Sequence, residues 1–155
     1  MQIILDIDHK AFDAALKKVP QQVTLDVGSA IGISLRDVAR LAKRTHRFKN
    51  QSGNAEAHIM EEVFPSGLSG EVRLERGGCD YIGYLHTGTK KHPIAPKSGK
   101  ALHWVSGGKS FFSSGHIHPG TKKDEFLFRA FRRLTPSIQT KLKNAVATAI
   151  KKAGF

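Results

Sequence analysis

Cysteine is almost absent from this chain. Cys79 is the single one among 155 residues, so no intrachain disulfide can form and the fold must rest on its core. Beside Gly77-Gly78, Cys79 reads as an incidental turn residue rather than a reactive thiol. No apolar run approaches the ~20 residues needed to span a bilayer. The opening MQIILDIDHK carries acids where an export signal has bases and an apolar core, so no secretory signal is read there. Acids are scarce throughout: 13 Asp and Glu stand against 25 Lys and Arg, a formal charge of +12. That balance points to an anionic partner, which is nucleic acid, an acidic protein surface or anionic lipid. A soluble, basic, intracellular protein is the expectation, and the length suits one domain over residues 1–155.

The shortage of acids is sharpest between Tyr81 and Lys123. This stretch, YIGYLHTGTKKHPIAPKSGKALHWVSGGKSFFSSGHIHPGTKK, has neither Asp nor Glu, yet carries seven lysines and five of the eight histidines. The absence bears on catalysis. His116 and His118 form a His-x-His, with His92 or His103 as a third metal ligand, but the stretch supplies no carboxylate or thiolate to complete a zinc or transition-metal site. Ser110, Ser113 and Ser114 lie near His116 without a Gly-x-Ser-x-Gly elbow or an acid to orient a base. Glu61-Glu62 and Asp124-Glu125 are adjacent pairs whose side chains diverge, which does not suit paired acid–base work. The Gly pairs at 77–78 and 107–108 match no phosphate-cradling loop. The expectation is a protein that is not an enzyme and binds no cofactor or metal; a histidine-based metal enzyme is the weakest alternative.

Read in order, the chain predicts an α+β fold. Residues 2–7 suit a short strand or an extended arm. Asp8 can cap a first helix to about Val19, and Pro20 opens a long helix to about Arg44. In that helix Val23, Val27, Ala30 or Ile31, Ser34, Val38 and Leu41 recur at helical spacing. Gly28 and Gly32, unfavourable there, suggest close approach of a partner element. After NQSGN (50–54) the period changes to two, predicting an antiparallel meander near Ala57–Phe64, Gly70–Glu75 and Asp80–His86. A helical reading of Ala55–Val63 is its competitor. In the second strand Val72 and Leu74 alternate with Glu71, Arg73 and Glu75, as a sheet with one solvated face requires, and Gly83 suggests a bulge or a close backbone approach in the third. ALHWV (101–105) and KSFFS (109–113) add short strands, three to five in all, with Trp104 serving the core. Long mobile loops are expected at about 87–100 and 106–120. From Asp124, Leu127, Phe131, Leu134, Ile138, Leu142, Ala145 and Ala149 make an amphipathic C-terminal helix, with Pro136 as a kink or a new start capped by Thr135.

Two basic groups stand out. Arg40, Lys43, Arg44, Arg47 and Lys49 close the long helix, either as a solvated turn that complements the helix dipole or as a contact for DNA or another anionic partner. Lys90, Lys91, Lys97, Lys100, Lys109, Lys122 and Lys123 can neutralise phosphates, with Trp104, Phe111 and Phe112 available to stack on bases. A basic nucleic-acid-binding module is therefore one reading, although no base-reading motif accompanies the charge.

Four blocks in order support another reading. They are HRFKNQSGNAEAHI (46–59), DYIGYLHTGTKKHPIAPKSGKALHW (80–104), IHPGTKKDEFLFRAF (117–131) and the basic, Ala-rich C-terminal helix. Together, over roughly residues 40 to 155, they resemble the tail-completion or head–tail joining proteins of long-tailed bacteriophages, the "gene product ten" family of lambda-like phages. The second block is similar to the family's Tyr-Ala-x-Tyr-x-His/Glu-x-Gly-Thr, followed by His-x-Ile-x-Pro-Lys and Lys-Ala-Leu-x-Trp/Phe. The third resembles its His-Pro-Gly-Thr-Lys. Departures are Ser52 for Thr, Ala55 for Leu, Ala57 for Arg or Ser, Gly83 for Ala, and Glu125 for the Pro before Phe126. The resemblance implies a structural virion part of the tail or neck, made as a soluble protein in the host cytoplasm. It would join a homo-oligomeric ring at the neck or head-proximal tail end, contact other neck and tail proteins, and make non-specific contact with DNA in the channel; no membrane is involved. The assembly contacts expected are His86, Gly88, Thr89, Lys90, Lys91, His92, Lys97, Lys100, His116, His118, Lys122 and Lys123.

Overall fold

The computed structural model describes residues 1–6, 21–49, 52–97 and 99–152. It is an α+β fold, as the sequence predicts. Strand β1 (Gln2–Asp6) is followed by the long helix α1 (Gln21–Thr45) and a single turn α2 (Asn54–Ala57). Then come β2 (Ile59–Val63), β3 (Ser69–Leu74), a short helix α3 (Ile82–Thr87) and β4 (His92–Ile94). Strands β5 (Leu102–Ser106), β6 (Lys109–Ser113) and β7 (His116–His118) precede helix α4 (Phe126–Lys152). The helix expected over Asp8–Val19 lies outside the described residues. Among those described, no helix is long and apolar enough to cross a membrane.

Helix α1 is the shared element. Its buried positions Val23, Val27, Ala30, Ile31, Ser34, Leu35, Val38, Ala39 and Ala42 exceed a single stripe, because it packs both on β2 and β3 and along α4. Ser34, wholly buried, returns its hydroxyl proton to the Ala30 carbonyl at 2.7 Å, so no polar atom is stranded there. Gly28 is where the chain needs a missing side chain, since a Cβ would stand 2.8 Å from the Gly67 carbonyl oxygen. At Gly32 a Cβ would meet only Val63 Cγ2 at an ordinary 3.6 Å, so the close approach expected of both glycines holds for the first alone. Against α4 the helix runs antiparallel, and two ion pairs mark the register: Asp37 with Lys141, and Asp26 with Lys152 at 3.1 Å. They are spaced about three turns apart on each helix.

Helix α4 buries Phe126, Leu127, Ala130, Ile138 and Ala149, and Phe131, Leu134, Leu142 and Ala145 pack on the same core. It passes Pro136 without a new start. Thr135 is no cap: its hydroxyl donates to the Phe131 carbonyl one turn back at 3.0 Å.

The main sheet has the antiparallel order β1-β3-β2. Its third strand is Gln2–Asp6 rather than residues 80–86. The latter form α3 because Ile82 and His86 are buried one turn apart with Leu85 between them packing on the core. Gly83 therefore marks no bulge. Gly88, at φ 75°, ends that helix, a conformation suited to glycine. The period-two segment also starts later than expected, since Asn54–Ala57 is helical and only Ile59–Val63 is extended. On the inner side of the sheet Ile3, Ile59, Val72 and Leu74 meet the core. The outer side is less solvated than alternation suggests. Arg73 binds Glu62, Glu71 at 3.1 Å and Glu75 at 3.1 Å, and Glu71 is buried beneath it. The guanidinium holds the Glu75 carboxyl below its ordinary range.

A candidate docking arm

The acid-free stretch is built as nested antiparallel pairings that lead away from α3 and return to α4. At the base the Glu125 amide donates to the His86 carbonyl at 3.1 Å. Next, Thr89 and Thr121 exchange backbone hydrogen bonds of 2.9 and 3.2 Å, and the Thr121 amide also reaches the Thr89 hydroxyl at 2.9 Å. The two Gly-Thr pieces, distant in sequence, thus form one bridge. Its closeness depends on Gly88, where a Cβ would lie 2.8 Å from the Thr121 oxygen and 2.9 Å from the Lys123 nitrogen. Beyond the bridge β4 pairs β7, with His92 opposite His118 and Ile94 opposite His116. Farther along, β5 pairs β6 from Leu102↔Ser113 to Ser106↔Lys109. Gly107 and Gly108, at φ 57° and 75°, make the two-residue turn with both residues left-handed that suits a tight hairpin. The segments expected as long loops at 87–100 and 106–120 therefore carry ladder strands.

The arm is anchored by groups that sequence reading missed. Asp124 is buried, and its carboxylate accepts from the Arg47 amide and from Arg129 Nη2 at 2.8 Å. Arg129 also donates to the Thr45 carbonyl at 2.6 Å. One ion pair thereby joins the end of α1, the foot of the arm and the first turn of α4. A carboxylate next to a helix start, with an Arg five residues on, was the available signal. Phe48 closes the same joint, stacked on His46 at 3.8 Å and edge-on to Phe126 at 5.4 Å.

The structure sorts the expected contact residues. Lys90, Lys91, His92, Lys97, Lys100, His116, Lys122 and Lys123 are exposed along the arm, with Lys123 also paired to Glu125 at 2.8 Å. Gly88, Thr89 and His118 are partly covered by the arm's own pairing. His86 does not belong with them. It is wholly buried, its ring edge-on to Phe126 and Phe128 at 5.0 Å each, and neither ring nitrogen has a hydrogen-bond partner among the described residues. Burial pushes its pKa down, against a smaller upward pull from Glu125. Arg40, Arg44, Arg47 and Lys49 are exposed and Lys43 partly so. Arg40 and Arg44 line a groove of about 450 Å³ with Asp37, Leu41, Thr45 and Leu134. Arg47 instead joins Lys122 and Lys123 around a second cavity of about 320 Å³, so the two basic groups of the sequence meet at the arm's foot.

His92, His116 and His118 share one face of the β4–β7 ladder by register, with the His92 and His118 rings 5.0 Å apart. No group of three His, Cys, Asp or Glu among the described residues is placed to hold a metal. His118 Nδ1 accepts from the Gly120 amide at 3.0 Å, and His92 Nδ1 faces the Lys90 carbonyl at 2.8 Å.

The tip is the most exposed part. Every residue from His103 to Phe112 is exposed, and Trp104, expected in the core, is 46 % exposed and stacked on Phe111 at 5.6 Å. On the opposite face His103 stacks on Phe112 at 4.7 Å, and Phe112 is 69 % exposed.

No protein-family model, characterised protein or solved structure matches this chain.

Proposed function

We propose that this chain is a structural virion protein of a tailed bacteriophage or prophage. It acts in tail completion or head–tail joining and assembles into a ring at the neck or head-proximal tail end. The observation that carries the reading is the arm: a base-only ribbon braced at its foot and ending in a hairpin with aromatic side chains in water. Single hairpins are marginal in water, and exposed apolar patches of this kind mark contact sites. The order of motifs along the arm, including the two Gly-Thr pieces that close its bridge, supports the family resemblance. The role is non-catalytic, and the lysines of the arm meet an anionic surface of a neighbouring neck or tail protein or DNA in the channel. Removing the gene should leave capsid assembly intact but yield unjoined heads and tails, or tails of aberrant length, by electron microscopy. Normal infectious particles without it would refute the reading.

A second reading, a nucleic-acid-binding module, is favoured by the exposure of Trp104, Phe111 and Phe112 beside Lys100 and Lys109. Titration of single- and double-stranded DNA over a range of salt decides between the two. Tight binding that persists at physiological salt supports the module, whereas attraction that vanishes there supports the assembly part.

A further inference from the structure

We propose that the hairpin β5–β6 of one copy docks on the outer face of the β1-β3-β2 sheet of a second copy, a contact that pairs two different surfaces of the same chain. The inference deepens the assembly reading and rests on it only in that copies of the chain meet.

The two surfaces are complementary in kind. By register, Trp104 and Phe111 share one hairpin face with Lys109, and the hairpin, like the whole arm from Tyr81 to Lys123, contains no acid. The sheet's outer face has the reverse composition. Register places Ile4 and Met60 there with Glu62, Glu71 and Arg73, and Ile4 and Met60 are 51 % and 42 % exposed. Around Arg73 stand three carboxylates against one guanidinium. By contrast, Asp26, Asp37 and Asp124 each pair with a Lys or Arg of α4. A charged face with surplus carboxylates and two exposed apolar side chains, Ile4 and Met60, is what an aromatic hairpin bearing only bases would seek. Charge of this kind sets register and encounter rate, while the aromatic anchors supply the contact. A large aromatic side chain buries about 150–250 Å², so one hairpin stays below the ~1,000 Å² of a stable interface. A single contact is therefore weak and salt-sensitive. Because the two surfaces differ, the contact propagates head to tail, and a ring closes if the rotation allows.

Sedimentation of the purified full chain at low and high salt, with two variants, tests this. The hairpin variant is Trp104→Ser with Phe111→Ser, and the sheet variant is Met60→Lys with Glu62→Lys. Wild type should associate reversibly at low salt and dissociate as salt rises. Each variant alone should lose association at least tenfold with an unchanged thermal melt. An equimolar mixture should regain a one-to-one dimer and nothing larger, since one intact hairpin meets one intact sheet. Should either variant melt early, cross-linking replaces it: in a Cys79→Ala background, Met60→Cys with Phe111→Cys should give disulfide-linked multimers, and each single cysteine none. A wild type that stays monomeric at low salt, association that survives both variants, a mixture that never pairs, or single-cysteine dimers would each overturn the inference. The gene-removal phenotype would be untouched by any of these results, so the two failures are separable.

Discussion

His86 shows how a single residue can look functional in sequence and be structural in the fold. Among four other histidines and seven lysines of the arm it reads as a contact; in the structure it is a core residue at the arm's foot with both ring nitrogens unpartnered among the described residues. Its pKa is lowered by burial, and the charges facing it are Glu125 and Asp124, which favour the proton, and Lys123 and the N-terminus, which oppose it. The sign follows. The unfolded chain protonates first, near the ordinary value of about 6.5, so this site leaves stability unchanged above that pH and lowers it as the pH falls through 6.5 and below. Glu75 and Glu125, held low by Arg73 and Lys123, lose their partners only below about pH 4.3. His86→Leu should therefore flatten the stability profile between pH 7 and 5 and keep or raise the melting temperature at pH 7, because it removes two unsatisfied buried atoms. An unchanged acid slope in denaturant melts would contradict this. Glu125 is the companion case. It is the one described non-glycine residue with positive φ, 48°, and its amide is bonded to the His86 carbonyl. Proline has neither that φ nor that N–H. Glu125→Pro should cost about 1–3 kcal/mol in a denaturant titration; a neutral result would mean the arm's foot tolerates a different path.

At the scale of elements the two helices were legible and the strands only in part. Helices α1 and α4 repeat their apolar spacing over many turns, and such a signal survives local noise. The helix Ile82–Thr87, six residues long, is shorter than two full helical periods, so Tyr81 and Leu85 imitated alternation while Ile82 and His86 were the residues that turned inward. β1 took the third place in the sheet, a long-range choice that no local pattern in 2–6 encodes. Trp104 misled for another reason: its composition suits a core, and what leaves it in water is the tip's position at the end of a ribbon. Gly28 and Gly32 give a paired test of the packing. Gly28→Ala should destabilise the chain despite alanine's better helix propensity, because the new methyl meets the Gly67 carbonyl. Gly32→Ala should stabilise it by about 1 kcal/mol. Thermal melts of both variants check this, and equal shifts would mean β2 and β3 sit farther from α1 than described.

Across the whole molecule charge and covering divide into separate regions. The core joins α1, α4 and the inner sheet face, three carboxylates gather around Arg73, and the arm carries bases alone. Lys90, Lys91, Lys122 and Lys123, exposed on both sides of the Thr89–Thr121 bridge, make no contribution to the apolar core. Reversing these four to Glu should abolish joining while leaving the melting temperature of the free protein within a few degrees. A melt that collapses together with joining would make the arm scaffold rather than interface. The most direct measurement is the position of the chain in purified virions, by site-specific labelling or cryo-microscopy. The account predicts density at the neck or head-proximal tail end, with the arm beyond His86, to residue 123, against neighbouring subunits. Particles lacking the chain, or a chain held through the outer faces of α1 and α4 with its arm in solvent, would contradict it.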